Sequence, residues 1–319
     1  MLAADKLTLE APNDWSIYEM PLGESSKVRD ASTYLDDVLD VLNNGEQHSG
    51  IKLPWEKTFS KIRLRSHELS VWAGVNGHGK SLLLSQVVLG ALKQGKTACI
   101  ASMEMTPRQT LLRKARQAIG GSLPEDDRVI AFFNWLHGKL WMYDQVGTVD
   151  SERMLCVVKY AREEKGVDHF VIDSLMKCGI NSDDYNGQKH FIDKLSTYCK
   201  DSGLHVHLVA HSRKGDKESH EMDKFDVKGA GEIMDMADNG FVVHRNKNKE
   251  QAIASDDLNP RLTEEKRQEL EAQPDAILAC HKQRHGDWEG KVGLYFYQPA
   301  FQYVSRNNSR PLLGMIEGE

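Results

Sequence analysis

The chain has 319 residues, 40% of them hydrophobic and 28% charged, and its formal net charge is −6. This composition is that of a globular protein with room for one large domain or two smaller ones. It excludes a polycation, so any contact with nucleic acid must be local. The longest apolar runs are too short for a membrane-spanning helix, and we expect no contact with a membrane.

The N-terminal residues and the cysteines indicate the compartment. Residues 1–10 contain acids and lack the basic end and the apolar stretch of a secretion signal, which predicts a cytoplasmic protein. The cysteines are odd in number, far apart and without a Cys-x-x-Cys pair, which argues against a disulfide framework and a structural zinc site. They are Cys99, Cys156, Cys178, Cys199 and Cys280.

The first predicted elements are an irregular arm over residues 1–24 and a helix over residues 25–45. Ser25 or Ser26 can cap this helix, and apolar residues recur at helical spacing until Asn43-Asn44-Gly45 ends it. The apolar stripe needs a partner, which is either the chain's own main domain or a neighbouring subunit.

The main domain is predicted over residues 46–310, where short apolar runs alternate with helical patterns. This alternation predicts an α/β fold with a mainly parallel central sheet flanked by helices. The last three strands lack intervening helices, so we expect antiparallel hairpins there. Residues 246–275 are rich in charge and predict a solvated excursion with a short helix near Glu264–Glu271, and residues 311–319 form a tail. The strand candidates are Glu68–Ala73, Thr97–Ser102, Lys139–Tyr143, His169–Asp173, His205–Ala210, Gly240–Arg245, Ala276–Lys282, Val292–Tyr297 and Phe301–Val304, and the longer helix candidates are Lys80–Gln94, Pro107–Ile119, Glu125–His137, Ser151–Lys165 and Gln188–Asp201.

The strongest single signal is Gly74-Val-Asn-Gly-His-Gly-Lys-Ser81, which fits the phosphate-binding pattern Gly-x-x-x-x-Gly-Lys-[Ser/Thr] between an apolar strand and an apolar helix. Glycines let backbone N–H groups surround phosphates, Lys80 reaches the β and γ phosphates, and the Ser81 hydroxyl binds Mg²⁺. We therefore predict ATP, or another nucleoside triphosphate, and Mg²⁺ as cofactors, with an ordinary glycine-rich turn as the alternative. The predicted nucleotide-binding residues are Gly74, Asn76, Gly77, His78, Gly79, Lys80, Ser81 and Leu82.

Two carboxylates at strand ends complete a candidate hydrolytic site. Asp173 ends an apolar strand and is placed to bind Mg²⁺ with Ser81 when its strand neighbours the strand that leads into the loop. Glu104 follows the strand Thr97–Ser102 and is placed to deprotonate the water that attacks the γ phosphate. The alternatives are a turn-forming aspartate and a glutamate that interacts with the dipole of the helix beginning at Pro107.

Several motifs occur together in an order that resembles hexameric replicative helicases of the DnaB type, including the helicase halves of phage and mitochondrial primase–helicases. The resemblance covers roughly residues 45–305. It implies a RecA-like P-loop core, a ring, and ATP-driven 5′ to 3′ translocation on single-stranded DNA with unwinding of duplex at the replication fork. The motifs are Gly74–Ser81, Ser102-Met-Glu104-Met, Val171-Ile-Asp173-Ser, Val209-Ala-His211-Ser-Arg213-Lys214, Lys228-Gly-Ala-Gly231 through Asp238-Asn, Arg245-Asn-Lys247 and Lys282-Gln-Arg284-His-Gly286.

The resemblance also implies roles for single residues. Lys80, Ser81, Glu104 and Asp173 match the phosphate lysine, the Mg²⁺ hydroxyl, the catalytic base and the Mg²⁺ acid of the family. His211 matches the polar group that senses the γ phosphate and links it to DNA; DnaB proteins have glutamine there and the phage and mitochondrial branch has histidine, so the chain mixes features of both branches. A polar residue at a strand end with no catalytic role is the alternative.

Lys282 and Arg284 match the pair that reaches the nucleotide of the neighbouring subunit, so hydrolysis would require a subunit interface. On the bare sequence, a solvated edge strand is the alternative. Ring assembly into a homo-hexamer or heptamer follows from this arrangement.

The DNA contacts implied by the resemblance are local. Lys228, Gly229, Ala230 and Gly231 match the central-channel loop that holds the DNA backbone, where glycines permit a close approach to phosphates. A solvated turn is the alternative. Arg213 and Lys214 either add to the channel or face solvent.

The front of the chain departs from the family, because neither a primase half nor a helical N-terminal domain fits into about 45 residues. Either primase is a separate protein or the chain is the helicase part of something longer; a loader and a polymerase are further expected partners, in a bacterial or phage-infected host cytoplasm. The helix before the main domain occupies the place of the family's linker helix, which favours docking on the adjacent subunit. The competing functions are a RecA-like recombinase or regulator that does not unwind DNA, and a nucleotide-binding adaptor or loader.

Overall fold

The computed structural model describes residues 24–44, 50–121, 126–181, 183–211, 230–307, 309 and 311. The chain divides into two compact units, Met1–Ser49 and Gly50–Glu319.

The described part of the first unit is helical. Two 3₁₀ turns, Glu24–Lys27 and Ala31–Tyr34, precede helix α1 (Leu35–Asn44). The carboxylate of Asp30 accepts a hydrogen bond from the Ser32 N–H at 2.8 Å and caps the second turn. The prediction of one continuous helix capped by Ser25 or Ser26 is therefore wrong at its start, although the helix ends at the expected asparagines.

The second unit begins with two short strands and continues with alternating strands and helices. Its strands are β1 (Ile51–Lys52), β2 (Arg63–Leu64), β3 (Leu69–Ala73), β4 (Ala98–Ser102), β5 (Leu140–Met142), β6 (His169–Asp173), β7 (His205–Val209), β8 (Asn239–Arg245), β9 (Ala276–Gln283), β10 (Gly290–Tyr297) and β11 (Gln302–Val304). Its α-helices are α2 (Lys80–Lys93), α3 (Pro107–Ile119), α4 (Asp126–Leu136), α5 (Ser151–Lys165), α6 (Tyr185–Ser202), α7 (Ala230–Met236), α8 (Lys247–Leu258) and α9 (Glu264–Ala272).

Nine of the described strands form one sheet in the order β11-β10-β9-β8-β3-β7-β6-β4-β5. The six strands from β8 to β5 are parallel, and β9, β10 and β11 continue the sheet as antiparallel strands. This arrangement confirms the predicted fold class, a mainly parallel sheet with antiparallel hairpins at the C-terminal end.

Each face of the sheet carries its own hydrophobic core. On one face α5, α6 and α7 pack against the strands, and on the other α2, α3 and α4 do so. The parallel strands β3, β4, β6 and β7 are buried along their whole length because helices cover both faces. The carboxyl ends of these strands meet at one edge, where the candidate site lies.

Two helices were not predicted. Helix α7 forms in the segment expected as a DNA-binding loop, and α8 forms in the charged excursion, where only the helix corresponding to α9 was expected. Helix α8 is anchored by buried Lys249, whose ammonium lies 2.7 Å from a carboxylate oxygen of Asp275 and donates to two backbone carbonyls. These contacts join residues far apart in sequence, which a local charge pattern does not reveal.

Among the residues that the structure describes, no helix is long and apolar enough to cross a membrane.

Candidate active site

The phosphate-binding pattern forms the loop between β3 and α2. Gly74 has φ 147° and Gly79 has φ 85°, a backbone region that other residues rarely adopt. A Cβ atom at Gly74 would lie 2.5 Å from the Val243 carbonyl oxygen, and one at Gly79 would collide with the Tyr303 hydroxyl. Both positions therefore require glycine for space as well as for conformation.

Lys80 begins α2 and turns its side chain back into the loop. Its ammonium donates hydrogen bonds to the carbonyl oxygens of Gly74 at 2.7 Å and Val75 at 3.0 Å, and the residue is 4% exposed. Burial lowers the pKa of Lys80 to about 8, while the nearby carboxylates of Asp173 and Glu104 oppose this shift.

Ser81 and Asp173 meet although their strands are not neighbours. Strand β7 lies between β3 and β6, so the neighbouring strands that would bring Asp173 beside the loop are not present. The Ser81 side chain nevertheless hydrogen-bonds the Asp173 carboxylate. Ser81, in the first turn of α2, thus reaches Asp173 at the end of β6 although β7 lies between β3 and β6.

The Asp173 carboxylate is suited to a cation. Burial raises the pKa of Asp173 and Glu104 adds to this shift, whereas Ser81, Lys80 and Arg113 lower it. A buried carboxylate beside a hydroxyl fits Mg²⁺, which prefers a few oxygen ligands and keeps several waters. These two side chains would hold the ion.

Glu104, Ser174 and His211 form a hydrogen-bonded chain across three adjacent strand ends. The register pairs Ser102 on β4 with Asp173 on β6, which brings Glu104 beside Ser174. The Ser174 hydroxyl donates to a Glu104 oxygen at 3.3 Å and lies 3.1 Å from Nε2 of His211. Nε2 of His211 is 3.6 Å from the same Glu104 oxygen.

Burial lowers the pKa of His211 and Lys80 adds to this shift, while Glu104 opposes it. The neutral ring can therefore donate Nε2–H to the Ser174 hydroxyl, which in turn donates to Glu104. Sequence reasoning assigned no role to Ser174, and its only signal is a hydroxyl directly after the strand-end aspartate.

Glu104 does not cap α3. The hydroxyl of Thr106 accepts from the Gln109 N–H at 3.3 Å, and the Gln109 side chain accepts from the Thr106 N–H at 3.2 Å. The alternative of a glutamate engaged with the helix start is therefore weakened, and the carboxylate is available to the cleft.

An open cleft of about 610 Å³ lies beside the loop and the strand ends. One end, which we call the phosphate end, is lined by predicted site residues: Asn76, Gly77, Gly79, Lys80, Ser81, Leu82, Glu104 and His211. Gly74 and Asp173 are not among the residues that line it. His78 is buried instead; its ring packs edge-on against His244 at 5.2 Å, and its Nδ1 accepts from the Arg245 N–H. Sequence reasoning missed Arg113 and the far end, which is formed by Arg245, Glu250, Asp275, Phe296, Phe301 and Tyr303.

Lys282 and Arg284 do not reach this cleft in their own chain. Lys282 is paired with Gly240 at the start of β8, and the Arg284 N–H donates to the carbonyl oxygen of Asp238 directly before β8. Arg245, at the other end of β8, lines the cleft. Six residue steps along a strand correspond to about 20 Å. The Arg284 guanidinium instead lies 3.1 Å from a carboxylate oxygen of Asp238.

The residues predicted to contact DNA fall largely outside the described part of the chain. Arg213, Lys214, Lys228 and Gly229 all lie there. Ala230 and Gly231 begin helix α7, so the expectation that they belong to a loop is wrong.

A separate buried cluster joins His169, His205 and His207 on β6 and β7, with one ring nitrogen of each within 4.8 Å of the others. The Trp72 indole N–H, which can only donate, lies 3.2 Å from Nδ1 of His207. Nδ1 is therefore unprotonated, and Nε2 of His207 carries the proton that it donates to Nδ1 of His169 at 3.1 Å. His207 and His169 are therefore joined by a hydrogen bond, while the ring nitrogens of His205 contact the Ser70 hydroxyl and the Arg65 carbonyl oxygen. Both ring nitrogens of His207 are engaged in hydrogen bonds, so it is not set up as a metal ligand.

Comparisons with known proteins agree with this geometry. Residues 57–217 match the model of the AAA domain. The DNA helicase/primase of Enterobacteria phage T3 is 22% identical over 205 residues, an alignment that covers 57% of this chain and 36% of that relative. The match thus spans about a third of the length of this relative.

Two solved structures share the fold. One is an ATPase domain with a TM-score of 0.67 at 14% identity, with 87% of this chain and 99% of that chain covered. The other is a DnaB-like replicative helicase, studied with its interactions with primase, which has a TM-score of 0.64 at 13% identity, with 87% of this chain and 67% of that chain covered. The RecA-like core expected from the sequence is therefore confirmed as the fold.

Proposed function

The chain belongs to the AAA domain family, and from this premise we propose that it is a ring-forming, ATP-dependent replicative DNA helicase. In this proposal it moves 5′ to 3′ on single-stranded DNA and unwinds duplex at the fork. The observation that carries it is the chain of hydrogen bonds from Glu104 through Ser174 to His211, because His211 directly precedes residues 212–229, which contain the predicted DNA contacts.

The loop, Lys80, Ser81, Glu104 and Asp173 have separate tasks in the proposed hydrolysis. Backbone N–H groups of the loop and the ammonium of Lys80 hold the triphosphate, and Glu104 takes the proton of the attacking water. Mg²⁺, held by Ser81 and Asp173, would supply charge stabilisation on the phosphates. The nucleotide is ATP or another nucleoside triphosphate, with its base toward the aromatic end of the cleft at Phe296, Phe301 and Tyr303.

His211 couples this chemistry to DNA. Its neutral ring is linked to the Glu104 carboxylate by hydrogen bonds through the Ser174 hydroxyl. In the sequence His211 directly precedes the segment that contains Arg213, Lys214, Lys228 and Gly229. A shift of that segment on DNA would move the His211 ring and therefore change the hydrogen bonding of Glu104.

Hydrolysis is shared between subunits. Arg284 stands about 20 Å along β8 from the cleft of its own chain, so a guanidinium that stabilises the transferred phosphoryl group must act on a neighbour. A closed ring, six- or sevenfold, brings the two surfaces together at every interface.

Helix α1 supplies a second assembly contact in this proposal. Its apolar side chains are exposed, with Leu35 at 58% and Leu42 at 72%. An amphipathic helix with an exposed apolar stripe gains stability by docking, and we assign this stripe to the adjacent subunit.

The partners are fork DNA and, at the fork, a primase, a loader and a polymerase, in a bacterial or phage-infected cytoplasm. The phage relative carries helicase and primase in one protein, and this chain matches only part of it. Primase is therefore either a separate protein or a further part of a longer one.

The test is strand displacement on a forked duplex with ATP and Mg²⁺. The proposal predicts that a 5′ single-stranded tail on the strand encircled by the ring is required, and that Glu104→Gln binds the fork without separating it. DNA-stimulated hydrolysis without strand separation on any tail would favour the recombinase or regulator function instead.

A further inference from the structure

Arg284 is tied to one residue, Asp238, by both its backbone and its side chain. The Arg284 N–H donates to the Asp238 carbonyl oxygen at 2.8 Å, and Nη1 of the guanidinium lies 3.1 Å from Oδ1 of the Asp238 carboxylate. The Asp238 side chain is 2% exposed, whereas that of Arg284 is 39% exposed. The carboxylate of this ion pair is thus buried, whereas the guanidinium is partly exposed.

Asp238 is itself immobilised on β3. Its Oδ2 accepts from the Leu69 N–H at 2.9 Å, and its own N–H donates to the Leu69 carbonyl oxygen at 2.9 Å. Both carboxylate oxygens therefore have a donor. A buried carboxylate held in this way sets the direction of the guanidinium that pairs with it.

The contact uses only one edge of the Arg284 fork. Guanidinium has five N–H donors in a rigid plane, and within the described part of the chain Asp238 is its one ion-pair partner. The side chain is partly exposed, so the remaining donors have access to solvent. They are available to a phosphate brought by another molecule while the Asp238 contact stays in place.

Lys282 is held at the same junction. Its ammonium donates to the carbonyl oxygens of Asp235 at 2.5 Å and Met234 at 3.3 Å, at the C-terminal end of α7, where the helix dipole favours a cation. Both cations of the Lys282-Gln-Arg284 motif are thus attached to residues 234–238. This stretch joins α7, which directly follows the segment of predicted DNA contacts, to β8.

We propose that Asp238 is a positioning residue that aims the Arg284 guanidinium at the nucleotide of the neighbouring subunit. This inference rests on the trans-acting role of Arg284 in the proposed function. The competing explanation is that Asp238 only joins β8 to β3. The two explanations predict different effects of substituting Asp238. If Asp238 positions Arg284, the substitution impairs the neighbour's site; if it only joins the strands, the substitution impairs the fold and the site of its own chain.

Asp238→Asn separates the two explanations because it keeps an oxygen for the Leu69 N–H and removes the charge that orients Arg284. With single-stranded DNA present, we expect kcat for ATP to fall about 10- to 100-fold, since displacement of a catalytic group by about 1 Å has an effect of this size. The KM for ATP should stay within about twofold, because the variant's own cleft is intact. Asp238→Glu keeps the charge but shifts the guanidinium by the length of one methylene, so it should also lower kcat. This variant provides the test if Asp238→Asn does not fold.

Mixed assemblies test the direction of the effect. Asp238→Asn subunits mixed with Lys80→Ala subunits create interfaces that combine an intact cleft with a correctly held Arg284, so hydrolysis should exceed the sum of the two separate preparations. The matched control mixes Asp238→Asn with Arg284→Ala, in which every interface lacks a working arginine, and no recovery is expected.

Normal turnover by Asp238→Asn would overturn the inference. The inference would also fail if Lys80→Ala subunits restored hydrolysis when mixed with Arg284→Ala subunits but not when mixed with Asp238→Asn subunits. The Arg284→Ala variant by itself tests the premise that Arg284 acts on the neighbouring subunit. If Arg284→Ala alone turns over like the wild type, the proposed shared site fails, and the role of Asp238 fails with it.

Discussion

Glu104 is held by one hydroxyl, that of Ser174, and stands 3.6 Å from a histidine kept neutral by burial. Lys80, in contrast, is bound by two carbonyl oxygens of its own loop. The two residues therefore serve different steps: Lys80 binds phosphate, and Glu104 acts on water. Their substitutions should separate binding from chemistry.

Glu104→Gln is expected to keep nucleotide affinity and lower the hydrolysis rate about 10²- to 10⁴-fold, because the amide cannot accept the proton of the attacking water. Lys80→Ala should lose both affinity and hydrolysis. Equilibrium binding of a labelled nucleotide and single-turnover hydrolysis measure the two quantities. Near-normal turnover by Glu104→Gln would remove it from the role of base.

Lys114 on α3 predicts a pH-dependent stability. It is fully buried, and its ammonium donates to the Ser85 carbonyl and hydroxyl at 3.2 and 3.0 Å. Burial, and secondarily Arg113, lower the pKa of Lys114 from 10.5 to about 7. Between pH 7 and pH 10.5 Lys114 is protonated in the unfolded chain but largely neutral in the folded one. The contribution of Lys114 to the free energy of unfolding therefore rises with pH over this range.

Lys114→Met does not titrate. The free energy of unfolding of the variant relative to the wild type should therefore increase by about 1 kcal/mol when the pH is lowered from 8 to 6. Urea unfolding at the two pH values measures this difference. A difference between variant and wild type that is the same at both pH values would contradict a neutralised Lys114.

At the scale of elements, β6 and β7 carry three buried histidines. Burial lowers the pKa of His169 and His207 well below 6.5 and also lowers that of His205. Because the folded-state pKa is depressed, the stability from these neutral rings is complete above pH 6.5 and is lost as the pH falls below it. The chain should therefore be destabilised between pH 7 and pH 5.5.

The size of this effect is up to about 1.4 kcal/mol per pH unit for each histidine. His169→Gln removes one titrating ring, so its free energy of unfolding should depend less steeply on pH over the same range. Denaturant unfolding at several pH values measures both slopes. Equal slopes for the variant and the wild type would show that His169 protonates as readily in the folded state as in the unfolded one.

The elements also show what the sequence could predict. The Gly74–Ser81 loop and the strand-end carboxylates were identified because their chemistry is local and residue-specific. Helix α8 was missed because it depends on Lys249 meeting Asp275, a contact across 26 residues of chain. The separation of β3 from β6 by β7 was missed because strand order is a property of the assembled sheet.

Residues of the cleft outside the motifs were missed for a similar reason. Tyr303 reaches Gly79 of the loop, and its backbone is held by Gln86 and the Trp55 indole in contacts that span more than 200 residues. No local pattern marks such a residue. Ser174 and Arg113 likewise have common side chains whose role depends on neighbours in space.

At the scale of the whole molecule, assembly is expected to depend on helix α1. Leu35→Ser with Leu42→Ser removes exposed apolar surface and should leave the folding of the main unit unchanged while weakening the ring. Leu258→Ser is the matched control, because Leu258 is 89% exposed at the end of α8. Sedimentation velocity over a concentration series would show this difference, and equal assembly of both variants would exclude α1 from the interface.

In the proposed function, the hydrolytic site is shared between subunits that encircle DNA. Its most direct test is the ATP hydrolysis rate per subunit over a series of protein concentrations, with and without single-stranded DNA, and with Glu104→Gln as the blank. We expect a rate per subunit that rises with protein concentration and rises further with DNA. A rate that is independent of both would contradict it and would mean that each subunit hydrolyses ATP alone.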